Sequence, residues 1–252
     1  MKITIITVSY NSAATISDTM HSVVRQTYPD IEHIVVDGGS SDDTVAIVRA
    51  EGSRVTRIVS EPDRGIYDAM NKGLHLAHGD VIGFINSDDF YASSDALANV
   101  AAAFADPAVD ACYGDLCYVK QDEVASVVRY WRSSVFRPGL FLRGWCPPHP
   151  TLFVRRNVYD RFGAFDLQYR IASDIELMIR FLEVHRVNTR YLPQVLVTMR
   201  MGGTTNRSWA NILHQNCEIW HALKKHGLRP SILPFVFGKL WSRGRQFLTR
   251  PA

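Results

Sequence analysis

Asp88 and Asp89 close an apolar run in FINSDDF, residues 84 to 90. Adjacent carboxylates at the end of a buried strand repel each other, so a cation, a ligand or a helix terminus must offset them. The helix expected over SDALANVAAAF does not need them as caps, because Ser93, Ser94 and Asp95 can serve there. An all-oxygen donor set suits Mg2+ or Mn2+, which take one or two carboxylates and complete their shell with substrate phosphates. That chemistry points to a nucleoside diphosphate.

Other polar residues sit where such a ligand would need them. Asp37, in VVDGGSSDDT, ends a strand, where it either shapes a turn or accepts from a base N–H or ribose hydroxyl. Tyr10 and Asn11 end the first strand, and Arg64 lies beyond the third. The chain has neither GxGxxG nor GxxxxGK[ST], so bound phosphates would be held by the metal and by basic side chains such as Arg64. Asp174, in RIASDIELMIRF, lies in the first turn of a helix that Ser173 can cap, which is sufficient to explain it; the other reading is a general base, with Glu176 next in line. His149, in PPHPT, is a lone loop histidine.

The elements that must position these residues alternate. ITIITVSY, IEHIVVD, RVTRIVSE and DVIGFIN are β-branched, continuously apolar or strand-like runs. Between them stand helical segments, with Ile16, Met20, Val23 and Val24 on one face, SSDDTVAIVRAE opening on capping residues, and Ile66, Met70, Leu74 and Ala77 on one face. This order predicts an α/β fold with a Rossmann-like, mostly parallel sheet flanked by helices, in which ligands bind beyond the carboxyl ends of the strands. After about residue 107 the pattern loosens into two antiparallel strands, VDACYGDLCYV and EVASVVRYW, the Pro-rich GWCPPHPTLF and the helix SDIELMIRFLEVH. One domain over residues 1–226 is expected, with a regular first half (1–106), a less regular second half (107–226) and a tail (227–252), halves that the family resemblance given below assigns to the nucleotide sugar and to the acceptor.

Composition restricts the classes further. The chain of 252 residues is 46% hydrophobic and 21% charged, ordinary for a globular protein with a core, and its net charge of +3 gives no case for nucleic-acid binding. Four cysteines without CxxC or zinc spacing suggest buried thiols in a reducing compartment. The N-terminus suits a buried strand better than a signal peptide, and no run reaches the roughly 18 apolar residues of a spanning helix, so a cytoplasmic location is expected. No acidic residue follows Glu218, whereas Lys239, Arg243, Arg245 and Arg250 alternate with Leu233, Phe235, Val236, Phe237, Leu240, Trp241, Phe247 and Leu248. This tail matches a short segment lying on anionic lipid, at the inner face of the cell membrane, unless it packs on the protein itself or on a dimer partner. Pro230 and Pro234 are expected to limit its helix to the second half. MGGTTNRS, residues 201 to 208, carries paired glycines and is expected either to close over a ligand bound at the strand ends or to be a plain surface loop.

TIITVSYNSAATISDTMHSVVRQTYPDIEHIVVDGGSSDDT and EPDRGIYDAMNKGLHLAHGDVIGFINSDD together resemble the inverting glycosyltransferases of family 2, of GT-A fold, and especially their bacterial polysaccharide-assembly members. The resemblance covers roughly residues 1 to 200. It implies a nucleotide-sugar donor lying across the strand ends, with Tyr10 and Asp37 at uracil and ribose, Asp88 near ribose and metal, and Asp89 on the metal. Many relatives carry Asp where this chain has Asn86, which is therefore placed among the donor-binding residues and not the metal ligands. The resemblance also implies Asp174 as general base, matched by ASDIEL, and His149 near the acceptor and diphosphate. The implied acceptor is a glycan, plausibly lipid-linked. A sugar-nucleotide pyrophosphorylase would need a Gly/Arg-rich loop where SYNSAAT stands, and a non-catalytic nucleotide- or glycan-binding module is the other alternative.

Overall fold

A computed structural model describes residues 1–202 and 209–248 of the chain, with the side chains of Trp209 and Leu248 left out. Most of MGGTTNRS lies outside the described residues. Strands β1 (Ile3–Ser9), β2 (Ile31–Asp37), β3 (Val55–Ser60) and β4 (Val81–Asn86) are parallel, in the order β3-β2-β1-β4. Helices α1 (Ile16–Val24), α2 (Thr44–Glu51) and α3 (Ile66–Leu76) are their crossovers. The β-branched runs form central strands because both faces are covered. Ile6, Val8, Ile34, Val36, Ile82 and Phe84 enter one core, and Ile3, Ile5, Val81 and Ile85 enter another on the opposite face.

Beyond β4 the sheet turns mixed, as the looser pattern predicted. The two-residue β5 (Phe90–Tyr91) and α4 (Ala96–Ala103) come first, followed by β6 (Ala111–Val119), β7 (Val127–Trp131), β8 (Phe153–Arg155) and β9 (Thr189–Arg200). The sheet continues β4-β8-β6-β9-β5, with β7 antiparallel to β6. Helices α5 (Arg156–Phe162), α6 (Ser173–Met178), α7 (Trp209–Lys225) and α8 (Ile232–Leu248) bring the described α-helices to eight.

Three local expectations are overturned. Helix α4 has no side-chain cap of its own, and Leu97 N donates instead to Gln26 Oε1 at 3.0 Å, beyond α1. Helix α6 begins after Ala172, not on a Ser173 cap, and passes into a π-helical turn, Ile179–Val184. Helix α8 spans Ile232–Leu248 with Pro234 in its first turn, where the missing N–H costs no helical hydrogen bond, so the prolines do not confine it to the second half. Of the four free cysteines, Cys112 and Cys117 are buried, Cys146 is half-buried and Cys217 is exposed. No described helix is long and apolar enough to cross a membrane.

Candidate active site

The parallel strands end together, and their loops are tied to one another. Asn11 adopts φ 47°, a left-handed conformation that asparagine tolerates, its backbone N donates to Ser40 Oγ at 2.8 Å, and its Oδ1 accepts from Ser41 N at 2.9 Å. Asn11 therefore fastens the β1 loop to the β2 loop. Asp37 is 1% exposed and accepts from the hydroxyls of Ser9, Ser40 and Ser60 and from the backbone of Gly39 and Ser40. Burial pushes its carboxyl up, but the hydrogen bonds from Ser40, Ser60 and Ser9 outweigh it and hold the group below the usual range. Its lone pairs are taken up within the chain, so here Asp37 shapes the loop, the turn role that the sequence left open. Tyr10 is 66% exposed at the rim, and Arg64, its side chain 79% exposed, pairs with Asp68 at 3.1 Å.

Past β4, Asn86 Nδ2 donates to Asp89 Oδ2 at 3.1 Å. Asp89 is fully buried, and its Oδ1 and Asn86 Oδ1 are buried acceptors without a hydrogen-bond partner. Burial, and then the charge of Asp88, push the Asp89 carboxyl well up. Asp88 is half-buried, the member of the pair that solvent reaches. Orphaned acceptor oxygens beside a second carboxylate fit a divalent cation. No group of three His, Cys, Asp or Glu stands together among the described residues, so the rest of the shell would come from substrate. The loop's backbone is pinned from three directions. Thr19 Oγ1 donates to Asp89 O at 2.7 Å, Ser12 and Ser87 hydroxyls meet at 2.7 Å, and Arg200 Nη1 donates to Asp88 O at 2.9 Å while its other arm pairs with Asp18.

The second centre is Asp174, in the first turn of α6. Gly73 has no Cβ to meet Ile6, where one would come within 2.4 Å, so α3 lies close against β1 and delivers Tyr67. Tyr67 Oη lies 2.9 Å from Asp174 Oδ1 and 2.8 Å from the Ile171 carbonyl, sharing one proton between them. Among the described residues no cation pairs with Asp174. From α7, Glu218 accepts from the backbone of Arg170, Ile171 and Ala172 at 2.8, 2.9 and 2.9 Å, fixing the segment that leads into α6. His149 is packed between Phe84 and Phe165, with centroids 5.8 and 5.6 Å away. Burial lowers its pKa, against the pull of the Asp174 charge, which favours the neutral ring.

Glu176 faces away from this centre. It is 1% exposed and bound by Arg180 at 2.8 Å and His226 at 2.7 Å. Burial raises its carboxyl, but these partners bring it down to about 2, so the expectation of a reserve base or acceptor contact is corrected to a buried ion pair. Tyr67, Arg200 and Glu218 were not singled out from the sequence. Their partners lie 107, 112 and 46 to 48 residues away, so no local motif marks them.

The family model described as glycosyl transferase family 2 matches residues 4–161. A PGL/p-HBAD biosynthesis glycosyltransferase of Mycobacterium bovis (strain BCG / Pasteur 1173P2) is 34% identical over 216 residues, covering 80% of this chain and 78% of that one. The Escherichia coli UDP-Glc:alpha-D-GlcNAc-diphosphoundecaprenol beta-1,3-glucosyltransferase WfaP is 37% identical over 93 residues, 36% of this chain and 37% of its own. In fold, the chain is similar to the mannosyltransferase PcManGT from Pyrobaculum calidifontis, solved with GDP-Man and Mn2+. The TM-score is 0.65 at 21% identity, over 96% of this chain and 69% of that one. The curled, mostly parallel sheet with its flanking helices is that of the GT-A glycosyltransferases, and the chain belongs to glycosyl transferase family 2.

Proposed function

We propose that this glycosyltransferase is metal-dependent and inverting, and moves a sugar from a UDP-sugar to a hydroxyl of a lipid-linked glycan in cell-surface polysaccharide biosynthesis. The observation that carries the reading is Asp174, a half-buried carboxylate fixed through one oxygen by Tyr67, next to a neutral histidine and without a cation partner among the described residues. Such a carboxylate, with one oxygen held and the other open, can accept a proton from a hydroxyl placed against it. Asp174 removes the proton of the acceptor hydroxyl, whose oxygen bonds to the anomeric carbon as the bond to the diphosphate breaks on the opposite face. Asp88 and Asp89 would hold Mg2+ or Mn2+, which supplies charge neutralisation for the departing phosphate oxygens. Tyr10 offers its exposed ring to the base, while Asn11 and Asp37 keep the loop beneath it in shape.

Support for the donor and acceptor classes comes from the relatives. WfaP is named for UDP-glucose and a diphosphoundecaprenol-linked acceptor, and PcManGT was solved with Mn2+ and a nucleotide sugar. Helix α8 adds a reason for placing the enzyme at the cytoplasmic face of the membrane. Ile232, Leu233, Val236, Phe237, Leu240 and Trp241 are all exposed along it, with exposed Arg245 beyond, a pattern suited to the surface of an anionic bilayer. Incubating the protein and Mn2+ with a panel of nucleotide sugars should release UDP from a UDP-sugar, and the full chain should sediment with anionic vesicles more than a folded chain ending at Gly227. Absence of nucleotide release across the panel would reject the transferase reading, and equal sedimentation would reject the membrane contact.

A further inference from the structure

The loop that carries Asp88 and Asp89 is held by its main chain, from two elements far apart in sequence. Strand β9 runs antiparallel to β5 with Phe90 opposite Thr198, and the same register carried two residues further sets Arg200 opposite Asp88. The Arg200 side chain is enclosed and lies over the Phe90 ring, its guanidinium carbon 5.2 Å from the ring centre. One arm, Nη1, donates to the Asp88 carbonyl oxygen at 2.9 Å, and the other, Nη2, pairs with the Asp18 carboxylate on α1. The next residue of α1, Thr19, donates its hydroxyl to the Asp89 carbonyl at 2.7 Å, and Asp89 N donates to the Asn86 carbonyl at 3.1 Å.

The carbonyl oxygens of Asn86, Asp88 and Asp89 are therefore all engaged within the chain. A cation at this loop is left the side-chain oxygens of the two aspartates, and the direction of those side chains follows from the main chain that Arg200 and Thr19 hold. An enclosed guanidinium beside two carboxylates acts on a cation in two opposite ways, since its charge repels the ion while its hydrogen bond shapes the loop that binds it. Asp18 decides the balance. Its carboxylate offsets the guanidinium charge and keeps the other arm on the Asp88 carbonyl.

We infer that Arg200, held by Asp18, is a positioning residue that sets the Asp88–Asp89 loop for a divalent cation and the diphosphate bound to it. The inference rests on the metal-dependent reading above and adds to it a pair that lies outside the cation's own ligands. Through this pair, α1 and the end of β9 act on the site together, so the second half of the chain contributes to a loop built by the first. A brace for the fold alone would stabilise the protein without changing what the cation adds to nucleotide binding, and that difference separates the two roles.

The test uses the full chain and compares the parent with Arg200→Met, Arg200→Lys and Asp18→Asn. Calorimetry measures UDP affinity with and without Mn2+, and amide exchange across residues 84–91 is followed in the ligand-free protein. Arg200→Met should leave metal-free UDP binding unchanged, cut the gain that Mn2+ gives by about 10–100-fold, and speed exchange in the loop. Arg200→Lys, which keeps the charge but not the planar fork, should recover only part of that gain. Asp18→Asn should show a smaller loss in the same direction, and its exposed position lets it test the pair should Arg200→Met fail to fold. A Mn2+ gain equal to the parent's in folded Arg200→Met, or a larger one, would overturn the inference while leaving the metal-dependent reading in place. Equal weakening of UDP with and without Mn2+ would also overturn it, by making Arg200 a brace of the whole site. A parent whose UDP binding ignores Mn2+ would instead overturn the metal-dependent reading, with faster loop exchange in Arg200→Met sustaining its hold on the loop and unchanged exchange removing that too.

Discussion

Asp89 and Asp174 are both acidic residues at element ends, but their surroundings assign them different tasks. Asp89 is sealed in, with an orphaned oxygen and a raised pKa, and Asp88 beside it reaches solvent. Replacing Asp89 by Ala should abolish the Mn2+-dependent part of UDP binding measured by calorimetry, while binding equal to the parent's would remove the metal assignment. Asp174→Asn keeps the shape and the Tyr67 contact but loses basicity, so UDP binding should persist while transfer slows by about 10²–10⁴-fold. Turnover equal to the parent's would move the base elsewhere. The sequence exposed the Asp88–Asp89 pair because FINSDDF puts two carboxylates at a strand end that does not require them, whereas Asp174 reads as an ordinary first-turn acid and was marked only by the family resemblance of ASDIEL. It did not reveal that Asp37 is saturated by Ser9, Ser40, Ser60 and Gly39, because burial and the five donors depend on three strands meeting.

At the scale of elements, α7 acts on a site built from other parts of the chain. Glu218 of α7 holds three backbone N–H groups in the segment that leads into α6, just ahead of Asp174. Glu218→Ala leaves those donors unsatisfied and should cost about 1–3 kcal/mol in stability, with a fall in kcat larger than any change in donor KM. A variant with parental kcat would mean that this clamp does not position Asp174. The strands and crossover helices of the first half were legible because their apolar periods of about 2 and 3.6 residues agree with local propensity. The direction of Lys239 was not, since a basic residue in an apolar tail reads equally as lipid-facing or inward-facing until Gly238 is seen against Arg143. For the same reason, capping by Ser93 or Ser94 was a fair local expectation that distant Gln26 displaced.

The whole molecule holds its site at the carboxyl ends of central strands that are buried on both faces, and that burial has its own pH signature. His33 of β2 is fully buried, accepts or donates one hydrogen bond with Thr7 at 2.9 Å, and is held by burial down to about 3. The unfolded chain protonates this residue near its ordinary value of about 6.5, whereas the native ring stays neutral. Its contribution to stability is therefore complete above about pH 6.5 and is lost as the pH falls toward 3, by up to about 1.4 kcal/mol per unit. Urea unfolding at pH 7.5 and 5.5 should show a smaller acid loss in His33→Gln than in the parent, and equal losses would contradict a neutral buried imidazole. The central claim is a single displacement with Asp174 as base, and the anomeric configuration of the product tests it most directly. With an α-linked UDP-sugar selected from the donor panel and a short-chain lipid GlcNAc-diphosphate as acceptor, proton NMR of the product should show a β linkage formed by the parent and slowed in Asp174→Asn. An α-linked product, or a β-linked product formed at the parental rate by Asp174→Asn, would contradict the account.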